Sequence, residues 1–372
     1  MRILQLGKFY PLKGGVEMVM YALAKGLSMR EIDCDALFAN GNGHPEKIQL
    51  NDHCYLYQSK TLREVKATMI SPAMIGMLRK MCHSYDIIHI HHPDPMAALA
   101  LFLSGYKGKV VLHWHSDIIR QHQLLKFYRP LQSWLLRRAD KIVGTSPVYI
   151  QKSPELRNVQ NKTTYIPIGI PEPKVNEAET EQIKAQYPGK RIVFSLGRLV
   201  SYKGFEYLIE AAEQLGDDYI VLIGGKGNQD IYLRNLVAMK GLQERVKMLG
   251  YIPDNQIDAY YDACALFCLS SIDKREAFAI VQVQALAHGK PIVSVDIPES
   301  GVPWVNQHGV TGINVPPCDS KAIVRAIREV CADNVQYQRY GVNARKRYET
   351  LFQEEKMIDA CEVLYKELLN KK

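Results

Sequence analysis
Short apolar runs rich in Val and Ile alternate with helix-patterned segments from one end of this 372-residue chain to the other, and no other feature narrows the choice of fold as far. The runs at residues 3–6, 36–39, 87–90, 110–113, 141–144 and 164–166 read as strands of one unit, and those at 191–196, 219–223, 246–249, 265–269, 292–295 and 312–315 as strands of a second. Buried strands separated by helices pair in parallel, so the expected class is α/β, with two Rossmann-like, doubly wound sheets. Between the two sets, Pro167-Ile-Gly-Ile-Pro-Glu-Pro173 places three prolines and a glycine where neither pattern can continue. The expected organisation is a first domain over 1–168, a second over 169–350 and a C-terminal helix at 351–372 that packs back on the first, with the two domains facing a cleft. The length and a hydrophobic content of 47% suit two cores.

Composition removes several classes. No stretch approaches the roughly 20 apolar residues of a membrane span, and Met1-Arg-Ile-Leu-Gln-Leu6 enters a strand pattern without a signal-peptide core, so a cytoplasmic location is expected. The eight cysteines are scattered; Cys264 and Cys268, the one close pair, are spaced for one helix face, and buried free thiols are expected. The net charge of +8 is uneven, since residues 1–168 hold 22 Lys and Arg against 12 Asp and Glu. Residues 120–141 open with Arg120, close with Lys141 and interleave Lys126, Arg129, Arg137 and Arg138 with Phe127, Tyr128, Trp134, Leu135 and Leu136. A basic, aromatic-bearing helix of this kind suits an anionic membrane surface; the alternative is a helix with one core face and one solvated face.

Polar clusters fall at the ends of the predicted strands, the edge where open parallel sheets take their ligands. After the first strand, paired Gly14 and Gly15 leave backbone N–H groups bare at a helix start, where a diphosphate can approach. After residues 191–196 come Gly197 and Arg198, then Lys203, a guanidinium fork and a point charge suited to phosphate oxygens. Gly225 and Lys226 follow another strand and suit a base or ribose. His113, His115 and Asp117 end one strand of the first unit, and His89, His91, His92 and Asp94 another; a sugar contact is expected of His115, acceptor contacts of His91, His92 and Asp117, and no metal of either group. Good helix formers run from Ala277 to His288, stopped by Gly289 and Pro291, with Glu276 at the N-terminus. On such a helix Glu276 and Gln284 stand roughly 80° apart in azimuth and about 12 Å apart along the axis, set to touch opposite ends of an extended ligand. The alternative is a glutamate that complements the helix dipole and a half-exposed glutamine.

In order and wording, Gly-Gly-Val-Glu at 14–17, Trp-His-Ser-Asp at 114–117, Gly-Arg-Leu-x3-Lys-Gly at 197–204 and Glu-Ala-Phe-x-Ile-Val-Gln at 276–282 resemble the family-4 retaining glycosyltransferases of GT-B fold, over nearly the whole chain. The resemblance implies transfer of a hexose from a nucleotide sugar with retention, without metal or other cofactor. By the same resemblance, Arg198 and Lys203 hold the donor diphosphate, the Gly14/Gly15 loop closes over it, and His115 and Glu276 contact the hexose. Ala277, Phe278, Ala279 and Ile280 offer amides, and the loop at 299–302 borders the nucleotide. The family's Glu-x7-Glu motif has a second glutamate on the ribose; this chain has Gln284, which can accept from one hydroxyl and donate to the other. The wording resembles that of bacterial polysaccharide mannosyl- or rhamnosyltransferases. GDP-mannose as donor, a lipid-linked glycan as acceptor, peripheral attachment to the plasma membrane and no nucleic-acid partner are therefore expected. A catalytically silent nucleotide-sugar-binding protein and a sugar-nucleotide epimerase are the rival readings.

Overall fold
The computed structural model describes residues 1–8, 14–40, 44–65, 68–118 and 122–370, with the backbone alone over 122–125. The chain divides into two units, Met1–Gly169 together with Glu354–Lys372, and Ile170–Gln353.

In the first unit the strands are β1 (Arg2–Leu6), β2 (Asp33–Asn40), β3 (Glu46–Asn51), β4 (Cys54–Lys60), a small ribbon of β5 (Arg63–Val65) and β6 (Thr68–Ile70), then β7 (Ile87–His92), β8 (Lys109–Trp114), β9 (Lys141–Gly144) and β10 (Thr163–Tyr165). Eight of them form one sheet in the order β10-β9-β8-β7-β1-β2-β4-β3, parallel except for the β3–β4 pair. Ile3, Leu4, Ile87, Ile88, Val110, Val111 and Leu112 are completely buried, as strands covered on both faces require. The chain leaves β1 toward β2 and returns to its other side at β7, which makes the β1/β7 boundary the switch point of this sheet.

The β3–β4 hairpin has no counterpart among the strands expected from the sequence. Its outer strand, Glu-Lys-Ile-Gln-Leu-Asn, is a mostly polar edge without an apolar run, and Asn51 turns the chain by accepting from the His53 amide at 2.9 Å.

The second unit carries β11 (Arg191–Leu196), β12 (Tyr219–Gly224), β13 (Val246–Gly250), β14 (Leu266–Cys268), β15 (Ile292–Val295) and β16 (Gly312–Val315) in a wholly parallel sheet of order β13-β12-β11-β14-β15-β16. That is the order of a doubly wound nucleotide-binding sheet, with its switch point between β11 and β14. Two expectations need correction here. Cys264 follows the helix Asp254–Ala263 and Cys268 ends β14, so they share no helix face. The helix expected from Ala277 begins at Ile280 and runs only to Ala287. Its N-cap, Ala279, has φ of 63°, a left-handed conformation that turns the preceding residues off the helix axis, so Glu276 and Gln284 are not two positions of one helix. All eight cysteines are free, and six are buried; Cys318 is exposed and Cys331 half-buried.

Candidate active site
At the switch point of the second unit, the loops after β11 and β14 are packed backbone against backbone. Gly204, at φ of 60°, lies where a Cβ would sit 2.3 Å from the Ser270 carbonyl, and a Cβ on Gly225, at φ of 140°, would fall 1.8 Å from the Gly197 carbonyl. Only glycine fits at either place, so the glycines expected to admit a ligand also clamp the loops that carry its binding groups. The loop after β11 is tied further by Leu199 N–H to Lys226 O at 2.9 Å.

From this frame Lys203 and Glu276 meet. Both are buried, at 8% and 7% exposure, and the Lys203 ammonium contacts Glu276 Oε2, which also accepts from Ser271 Oγ at 2.8 Å. Ser300 Oγ donates to the Glu276 carbonyl, and Gly301 N–H to the Ala277 carbonyl at 2.8 Å, so the loop after β15 fixes the turn that presents the carboxylate. Glu276 Oε1 makes no hydrogen bond among the described residues. The pair is neutral as a whole, which is what allows two charges to sit inside. Arg198 is exposed, its guanidinium donating to Tyr202 Oη at 3.1 Å, and is thus the open cation of this edge. Lys226 is also exposed, with its ammonium 5.0 Å from the Tyr251 ring centre. Phe278 is buried against Trp304 and Phe352 and anchors the turn. The helix Ile280–Ala287 has no side-chain cap, which leaves its first amides for a ligand. Gln284 is half-buried, with Oε1 3.2 Å from Tyr261 Oη.

In the first unit, Gly14 is the N-cap of the helix Gly15–Ser28 and lacks a capping side chain. Residues 9–13 of the same loop, and Arg120 of the basic segment, lie outside the described residues.

Register sets His91 beside His113 across β7 and β8, so His89, His91, His113 and His115 fall on one face. His115 is 5% exposed and the other three no more than 1%. His91 Nδ1 lies 3.0 Å from His115 Nε2, and His91 Nε2 lies 2.9 Å from Gln5 Oε1. Burial pushes the pKa of all four rings far down, His113 to about 3, so they are neutral at pH 7.

His91, His113 and His115 have ring nitrogens close enough to suggest a metal centre. Their rings do not converge: those of His113 and His115 are parallel within 6° at 4.1 Å between centres. A metal in the plane of one ring therefore sits off the plane of the other, and the pair cannot direct lone pairs at a single ion as placed.

His92 points to the opposite face of the sheet, flat on Trp114 at 3.7 Å, so His91 and His92 do not act together. Asp117 Oδ1 accepts from Trp114 Nε1 at 2.9 Å and Ser153 Oγ at 2.8 Å, and holds the turn after β8. Ser300 lies in the loop at 299–302 expected to border the nucleotide, whereas Ser271, Gln5 and Tyr365 were not expected at either site; the only trace of Ser271 in the sequence is a Ser-Ser pair directly after a strand end.

Comparisons with known proteins show the family. Residues 13–172 match the family model "Glycosyltransferase Family 4", and residues 176–347 match "Glycosyl transferases group 1". The chain is 31% identical over its whole length to O-antigen chain mannosyltransferase C of Escherichia coli, all of which it covers. It is 32% identical to the D-rhamnosyltransferase WbpZ of Pseudomonas aeruginosa, over 95% of this chain and 92% of that one. Among solved structures, HepE of Anabaena in complex with UDP superposes with a TM-score of 0.79 at 21% identity, over 98% of this chain and 99% of that one. With two doubly wound parallel sheets, two family-model matches that together span most of the chain and a relative covered end to end, this chain belongs to the family-4 glycosyltransferases of GT-B fold.

Proposed function
We propose that the protein moves a hexose, with retention and without a metal ion, from a nucleoside-diphosphate sugar, GDP-mannose first, to a hydroxyl of a growing, lipid-linked glycan in cell-surface polysaccharide synthesis. The observation that carries the reading is the buried Lys203–Glu276 pair at the β11/β14 switch point, with the exposed guanidinium of Arg198 on the same strand end. Relatives named for mannosyl and rhamnosyl transfer support the hexose, and the UDP complex of HepE supports the nucleotide class.

Arg198 and Lys203 bind the departing diphosphate and stabilise the charge that grows on it, the term expected to dominate the acceleration. As the anomeric C–O bond breaks, a leaving phosphate oxygen takes the proton of the acceptor hydroxyl, which attacks from the same face; no side-chain nucleophile is needed. Glu276 Oε1 accepts from a hexose hydroxyl, the amides from Ala277 to Ile280 face the diphosphate, and the Gln284 amide binds the ribose. The bare amides at Gly14 and Gly15 are assigned to the diphosphate. No described helix is long and apolar enough to cross a membrane, and attachment is assigned to the basic helix His122–Arg138 at an anionic inner membrane face.

The test is release of nucleoside diphosphate from GDP-mannose and a panel of UDP-sugars, with and without EDTA and acceptor glycans. Arg198→Ala and Lys203→Ala are each expected to slow turnover by about a hundredfold. Turnover that survives both changes sinks the phosphate clamp. A β-linked product from an α-linked donor sinks retention, loss of activity in EDTA sinks metal independence, and binding without any turnover favours a silent binding protein.

A further inference from the structure
One face of the first sheet holds a hydrogen-bonded chain that reaches from the C-terminal helix to His115. Tyr365, on the helix Glu354–Asn370, is completely buried, with Oη 2.5 Å from His89 Nδ1 and 3.3 Å from Gln5 Nε2. Gln5 on β1, also completely buried, faces Tyr365 and the Cys34 thiol with its amide nitrogen and presents Oε1 to His91 Nε2 at 2.9 Å. His91 Nδ1 lies 3.0 Å from His115 Nε2. Beyond it, His115 Nδ1 is buried and has no partner among the described residues.

Donor and acceptor roles along the chain follow from one fixed point. A carbonyl oxygen only accepts, so His91 must carry its proton on Nε2 and offer a lone pair at Nδ1. His115 must then donate from Nε2, which leaves its lone pair at Nδ1. On the other side the Gln5 amide donates to Tyr365 Oη, whose link to His89 can run either way because a hydroxyl both donates and accepts. The links from His115 through His91 to Gln5 point one way, and reversing either would set two protons or two lone pairs against each other inside the fold.

We propose that Tyr365, Gln5 and His91 are positioning residues that hold His115 in the Nε2-protonated form, so that its Nδ1 accepts a hydrogen bond from a hydroxyl of the transferred hexose. The inference rests on the proposed function for the identity of that ligand, while the tautomer itself is a property of the unliganded chain. The last helix of the polypeptide thereby takes part in sugar recognition through groups that never touch the sugar. His113 lies parallel to His115 at 4.1 Å with both ring nitrogens unbonded, so it packs against the acceptor ring without offering a competing proton.

The experiment is a long-range 1H–15N correlation spectrum of the full-length protein labelled at histidine, with binding of GDP and of GDP-mannose measured by calorimetry for wild type, Gln5→Leu and Tyr365→Phe. The expected spectrum shows His115 neutral, protonated on Nε2 and bare on Nδ1. In Gln5→Leu the His115 signals should move toward a mixture of tautomers, and GDP-mannose should bind about tenfold more weakly while GDP affinity changes less than about twofold, the size of one lost hydrogen bond to the sugar. Tyr365→Phe, the milder change, should shift both readouts in the same direction. A wild-type His115 protonated on Nδ1 overturns the relay, as does an equal loss of GDP and GDP-mannose affinity in the variants. If Gln5→Leu does not fold, the wild-type spectrum and Tyr365→Phe decide. Failure of wild type to bind GDP counts against the proposed GDP-sugar donor, and the spectrum still decides the relay.

Discussion

At the scale of single residues, Lys203 and Glu276 serve two ends that can be separated. Each neutralises the other inside the second unit, and each is assigned a ligand: phosphate for the lysine, a hexose hydroxyl for the glutamate. Removing one partner leaves a buried charge uncompensated, so Lys203→Met and Glu276→Gln should each destabilise the second unit by about 3 kcal/mol. The double variant should regain most of that loss, because no buried charge remains, yet it and both single variants should turn over donor about a hundredfold or more slowly than wild type. Urea denaturation around the double-mutant cycle gives the coupling, and nucleotide release gives the activity. Single-variant losses below about 1 kcal/mol mean that the pair is not held as described. Ala279 shows the same division, since its left-handed conformation costs stability that a glycine would recover. Its effect is to turn Glu276 away from the helix and toward Lys203.

At the scale of elements, the helix His122–Arg138 has one face that the core does not use. Tyr128, Leu135 and Leu136 are buried, whereas Phe127 is 85% exposed and is flanked by exposed Lys126, Arg129 and Arg137. Full-length protein is expected to sediment with vesicles containing anionic lipid and to remain in the supernatant with neutral ones. Phe127→Ala should weaken the binding, the joint Lys126→Glu and Arg129→Glu change should abolish it, and catalysis on a soluble acceptor should be untouched. Equal sedimentation of wild type and variants would remove the helix from the membrane contact.

Elements also show why the sequence was readable in part. Most of the twelve expected strands announced themselves because a strand buried on both faces carries an apolar run, although β10, Thr-Thr-Tyr, has no buried residue, and Gly204 and Gly225 stand where no other residue fits. The β3–β4 hairpin did not announce itself, since an exposed edge strand carries no such run. Nor did the start of the helix at Ile280: propensity favours helix from Ala277, and only tertiary bonds from Ser300 and Gly301 pull residues 276–278 into a turn. Gln5 and Tyr365 were illegible for a simpler reason. They lie 360 positions apart and acquire meaning only once the last helix is folded against β1.

At the scale of the whole molecule, the two units carry histidines that titrate in opposite senses. In the first, His89, His91, His92, His113 and His115 are buried without a carboxylate partner, and burial holds all five far below the ordinary value, His92 and His113 at about 3. The unfolded chain takes up protons near pH 6.5 and the folded unit does not, so its stability is complete above that pH and falls as pH drops toward 3. Each ring contributes up to about 1.4 kcal/mol per pH unit within that window. Burial raises the pKa of Glu17, Asp94 and Glu354, which opposes the trend, but five rings outweigh three carboxyls. In the second unit burial also disfavours charge on His288, yet hydrogen bonds to Asp258 at 3.1 Å and Asp262 at 2.7 Å outweigh it and raise the pKa. That contribution is complete below about pH 6.5 and is lost as pH rises through the folded value. Lowering pH from 7 to 5 should therefore destabilise Met1–Gly169 with Glu354–Lys372 while strengthening the His288 cluster of Ile170–Gln353. Scanning calorimetry of the full chain is expected to show two transitions that move apart on acidification, the lower belonging to the first unit. His288→Gln should lower only the upper transition, and more at pH 5 than at pH 8. A single transition that shifts uniformly across this range, or a His288→Gln loss that grows with pH, would show that the ring charges do not govern the two units in this way.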